Sequence, residues 1–151
     1  MPNWPPANPT EAPPFRGVPI PWPPQIQSEA DQIAAYQVIF APILRDAIKR
    51  IEHNYAEKLL RIECRWTFLH FGDLVQYAQL IVPPPRLRAC HTLFIQACKT
   101  LDEETSASEV YCRDPSLGSD DYVHAVQQSD SVVREWVQEL KRSGMSQWDV
   151  H

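Results

Sequence analysis

Apolar residues recur at three- and four-residue steps along most of this chain, and that spacing predicts helices. The first begins at Ser28, a capping residue followed by Glu29 and Asp31, whose charges complement a helix dipole. Ile33, Phe40, Ile43, Leu44, Ala47, Ile48, Ile51, Tyr55, Leu59, Ile62, Trp66 and Leu69 then hold one apolar phase. Pro42 interrupts that phase by removing the donor to Val38 and crowding its carbonyl, so a kink or short break divides a helix over 28–41 from a long one over 42–71.

Gly72-Asp73 marks the next break, and a short helix over 73–82 ends at Pro83-Pro84-Pro85. Leu87, Cys90, Leu93, Phe94, Ala97, Cys98 and Leu101 place a helix over 86–101. Residues 102–118 are polar and acidic, with Asp114-Pro115 and Gly118 near their end, and read as a long loop with one turn near Ser106 to Cys112. Ser119-Asp120-Asp121 opens the last helix, 119–143, which carries Tyr122, Val126, Ser129, Val133, Trp136 and Leu140 on one face until Gly144 stops it. The expected fold is all-α: a helical bundle over 28–144 with a kinked long helix, an extended Pro-rich arm before it and a tail over 145–151.

The arm, residues 1–27, is set apart by composition. Ten of the fifteen prolines lie in the first 24 residues, where each fixes φ and removes a donor, leaving polyproline II or irregular extended chain. Trp4, Phe15, Ile20 and Trp22 punctuate it, and Trp-Pro-Pro occurs at 4–6 and again at 22–24. A solvated spacer favours Ser, Gly and charge, so large apolar groups here point to docking on the chain's own helices, a second subunit or a partner. An SH3 ligand has a basic residue followed by two prolines three apart, but Arg16-Gly17-Val18-Pro19 reaches Trp22 where the second proline belongs, and Pro13-Pro14-Phe15 lacks the tyrosine of a WW ligand.

The long helix of 42–71 would span about 45 Å, against a radius of gyration near 14 Å for a domain of this size. Either this helix breaks again, or the molecule is elongated, or part of the helix packs on another chain, the last being the reading that suits assembly.

Charge refines the picture. Residues 28–101 carry nine Lys/Arg against seven Asp/Glu, and residues 102–151 carry four against eleven, so a mildly basic part faces an acidic one. Such halves attract within a chain or between copies, and the net charge of −5 disfavours a dedicated nucleic-acid binder. Arg50, Lys58, Arg61 and Arg65 form a basic helix face, with Asn54 among them, on which phosphate or RNA is the competing expectation. Asp46 four before Arg50 and Glu57 four before Arg61 offer intrahelical ion pairs instead.

For chemistry the sequence offers little. Cys64, Cys90, Cys98 and Cys112 include no C-x-x-C pair and read as reduced thiols, suiting a cytoplasmic or nuclear setting. No H-x-x-x-H pair or ligand spacing indicates a metal, and no motif indicates a cofactor. His70 and Asp73, three apart, are the best acid/base pair on spacing, and they define the enzyme or ligand-binding alternative. No catalytic residue is assigned. No apolar run reaches the 18 residues or so of a membrane helix, and Met1 opens no signal-like segment. The leading expectation is a non-enzymatic protein–protein interaction or self-assembly module that uses the aromatic arm, with a protein partner or homo-oligomer as its target.

Overall fold

In the computed structural model, residues 21–59 and 67–144 are described. The Ser28 hydroxyl accepts the Asp31 amide at 3.2 Å, and from there α1 runs over Glu29–Leu59. α2 covers Gly72–Gln79, α3 Arg88–Arg113 and α4 Ser119–Arg142, with a 3-10 turn at Pro85–Leu87 before α3. The described residues are mostly helical and contain no strand, which makes the chain all-α.

α1 corrects two expectations. It passes Pro42 as one continuous helix of 31 residues, which removes the short break, one of the two expectations at that position. The carbonyl left without a donor belongs to Val38, whose side chain is 76% exposed, so water reaches that face of the helix. On the opposite face Phe40, Ile43, Leu44 and Ala47 are buried on both sides of the proline, and their burial outweighs the roughly 3 kcal/mol that a mid-helix proline costs. The second correction concerns the far end, because Thr67 to Phe71 is not helical. This stretch lies back along α1, and a polar row of α1 holds its backbone. Asn54 exchanges two hydrogen bonds with Leu69, accepting its amide at 2.8 Å and donating to its carbonyl at 2.9 Å. His53 bonds the Thr67 carbonyl at 2.7 Å, Glu57 accepts the Thr67 amide at 3.2 Å, and Arg50 donates to the His70 carbonyl at 2.8 Å. Residues 50, 53, 54 and 57 share one helix face, and together they hold the backbone of 67–70 in a non-helical path beside α1.

α3 is the third correction: it continues twelve residues past Leu101, and only Asp114 to Gly118 remains as loop. Leu101, Thr105, Ser108 and Cys112 carry the buried row onward. Thr105 donates to the Leu101 carbonyl and Ser108 to the Glu104 carbonyl, so these small polar residues enter the interior without an unpaired hydroxyl. Gly118, at φ +71°, supplies the left-handed turn that starts α4.

Contacts across the core give the layout. Tyr111 stacks on Tyr122 at 4.9 Å and Phe94 meets Trp136 at 5.4 Å, so α3 and α4 are antiparallel. Tyr36 lies beside His91 and Phe40 against Phe94 at 4.8 Å, so α1 runs parallel to α3. Trp22 and Leu140 pack on the edge of this cluster.

His91 is buried beneath α2. Its Nε2 donates to the Ala78 carbonyl at 2.8 Å, which leaves Nδ1 to accept the Tyr36 hydroxyl at 2.8 Å. Burial holds its pKa below the ordinary value, against a smaller opposing effect of the Ala78 carbonyl. Below about pH 6.5 the unfolded chain therefore takes up a proton that the folded chain refuses, and stability falls towards acid. We expect this residue to cost about 1 kcal/mol between pH 7.5 and pH 5.5, read as the difference in urea stability slopes between the natural chain and His91→Gln. Equal pH dependence in the two proteins would show that His91 takes up its proton as readily in the fold as in the unfolded chain.

Candidate functional site

The expected site residues separate into those the fold uses internally and those outside the described residues. Trp4, Phe15 and Ile20 of the arm lie outside, as do Arg61, Arg65 and Cys64. Trp22 is half-buried and rests on the chain's own core.

Arg50 holds both oxygens of Asp73, at 2.6 and 2.9 Å, while its second nitrogen also reaches Asp46 at 2.9 Å. The fork geometry of a guanidinium suits this arrangement, which joins α1 to the start of α2. Lys58 reaches across the bundle to Glu104 of α3 at 3.0 Å and sits 5.2 Å from the ring centre of Tyr122 on α4. Neither cation is left facing solvent for a phosphate.

His70 and Asp73 do not form a pair. Asp73 is taken by Arg50, and the His70 ring lies between Asp102, 3.1 Å from Nδ1, and Glu109, 2.6 Å from Nε2. The ring donates to both carboxylates only as imidazolium. Asp102 also accepts the Phe71 amide at 2.8 Å, so the cluster pins the turn into α2 against α3. Among the described residues no group of three or more His, Cys, Asp or Glu is arranged to hold a metal ion. The cysteines at apolar positions are poor nucleophiles: burial pushes the Cys90 thiol up to about 11 and raises Cys98 further.

What the bundle does enclose is a cavity of about 230 Å3, open at one side, between the second half of α1, the second half of α3 and the first half of α4. Phe68 and Phe71 of the backbone-clipped segment form part of its wall, with Ile51, Leu101, Val126 and Val133. Asn54, Thr105, Ser108, Ser129 and the Lys58–Glu104 pair supply its polar side, and Tyr55 and Asp130 stand at its exposed rim. Tyr55 is 65% exposed and Leu59, one turn on, 69%, so an apolar strip of α1 continues from the cavity into solvent. The α3 contribution was hidden in the sequence behind the acidic composition of 102–109. The signal that could have found it is the step of four, three and four from Leu101 through Thr105 and Ser108 to Cys112.

Compared with protein-family models, with curated proteins and with solved structures, the chain matches none of them. Its class therefore rests on its own residues: an all-α bundle with a lined cavity, and, among the described residues, no helix long and apolar enough to cross a membrane.

Proposed function

We propose that this protein is a non-enzymatic protein–protein interaction or self-assembly module, in which the aromatic, Pro-rich arm of one copy docks on the helical bundle of another. The observation that carries it is Trp22. This tryptophan of the second Trp-Pro-Pro is packed against the core with its indole nitrogen buried, so the bundle already seats one arm residue of the kind that Trp4 repeats. Exposed Tyr55 and Leu59 supply apolar surface for a partner. The buried thiols Cys90 and Cys98 suit the reducing setting, cytoplasmic or nuclear, that we assign with this role.

The acid/base alternative is the weaker one because His70 and Asp73 have separate partners; of the basic face on which the RNA or phosphate alternative rests, Arg50 and Lys58 are paired within the chain, and Arg61 and Arg65 lie outside the described residues. A ligand-binding bundle is the second candidate, on the strength of the cavity alone. Sedimentation of the full chain and of a chain lacking residues 1–20 decides between them. We expect a dimer or larger species at micromolar concentration for the first and a monomer for the second. Monomers in both cases would sink self-assembly through the arm.

A further inference from the structure

We propose that the indole of Trp4, carried by the arm of a second copy of this chain, fills the cavity between α1, α3 and α4; the proposal rests on the self-assembly function above. Size is the first reason. The cavity holds about 230 Å3, and apolar cavities of about 150 Å3 accept a benzene ring, so one larger aromatic group fits.

The second reason is the sign of the unused hydrogen bonding. Thr105 gives its proton to the Leu101 carbonyl, Ser108 gives its own to the Glu104 carbonyl, and Ser129 points its proton at the Glu104 carboxylate and the Val126 carbonyl. Lone pairs on Ser108, Ser129 and Glu104 remain. The wall carries Lys58 against Glu104 and Asp130, so a negative occupant is disfavoured. An apolar ring with a single N–H donor meets both conditions, and within the arm that means tryptophan. Phe15 and Ile20 have the apolar bulk but no side-chain donor.

The third reason is reach. The described chain begins at Pro21, next to Trp22 on the core, and the 17 residues from there to Trp4 extend to about 53 Å at the polyproline rise. From the start of α1 to Tyr55 is about 39 Å. The arm is therefore long enough to leave its own bundle and enter the cavity of a neighbouring copy, as the self-assembly function requires. Two copies packed with antiparallel α1 helices would place the start of each α1 towards the other's cavity. One two-fold axis then makes two identical dockings and closes the assembly.

The test uses the full chain with a benzophenone residue in place of Trp4, mixed equally between nitrogen-15-labelled and unlabelled protein, irradiated and mapped by mass spectrometry. Heavy-to-light links from position 4 to Tyr55, Val126 or Val133 are expected. Alongside it, Trp4→Ala should raise the self-dissociation constant by about a hundredfold or more, as loss of a buried tryptophan anchor does, and Phe15→Ala by less than about threefold. Val126→Phe, which fills the cavity from within, should weaken self-association with Trp4 intact. Links confined to one chain, links to another face, or self-association indifferent to Val126→Phe would each overturn the proposal. If the chains still associate in those cases, self-assembly stands without this contact; a monomer at every concentration removes both.

Discussion

Phe94→Ala is expected to lower the free energy of unfolding by about 4 kcal/mol, the largest effect of any single truncation proposed for this chain. Phe94 is 1% exposed and meets Phe40 edge-on at 4.8 Å and Trp136 at 5.4 Å, so it is the ring through which α1, α3 and α4 touch. Removing it forfeits the transfer free energy of the ring and both edge-to-face contacts, and leaves a void that three separate helices would have to close. Phe94→Leu keeps most of the volume and should cost only about 1.5 kcal/mol. Urea unfolding with an unchanged m-value measures both, and an alanine loss below about 2 kcal/mol would mean that the helices collapse onto the site.

Arg50→Ala should follow, at about 3 kcal/mol. Its side chain is only 12% exposed, and it serves Asp73, Asp46 and the His70 carbonyl together. Truncation leaves two carboxylates near one another and a carbonyl without its donor, and the partial exposure of both acids keeps the loss below the upper range for buried pairs. Arg50→Lys keeps the charge but cannot hold both oxygens of Asp73 in one plane, so roughly half of the loss should remain. Thermal unfolding of the two variants separates charge from geometry; equal stability of Lys and Ala variants would assign the whole effect to the fork.

These two residues also mark how far the sequence could be read. Phe94 was legible as core because Leu87, Cys90, Leu93, Phe94 and Ala97 repeat at helical spacing, and the all-α class follows from such repeats throughout. Arg50 was legible only as part of a basic face. Its partner Asp73 lies 23 positions away, and helical periodicity carries no information about which distant acid a cation meets. The same blindness explains α1. Trp66 and Leu69 continue the apolar phase of 42–59, yet Thr67 to Phe71 is separate backbone held by Arg50, His53, Asn54 and Glu57. In α3 the error ran the other way: acids and serines after Leu101 look like loop, but Glu104, Thr105 and Ser108 turn to Lys58 and to helix carbonyls and so belong to a buried face. The cavity was illegible for both reasons at once, since each of these two segments forms one of its walls. The attraction expected between a basic and an acidic part of the chain does appear in this region, in the Lys58–Glu104 pair.

The clip on residues 67–70 shifts where variation can be absorbed. Arg50, His53, Asn54 and Glu57 recognise amides and carbonyls, which every residue except proline presents alike. Exposed Thr67 and Leu69 are thus replaceable at little expense, whereas the helix opposite them is not. The specification of this turn is written in α1, 10 to 20 positions upstream of the chain it shapes.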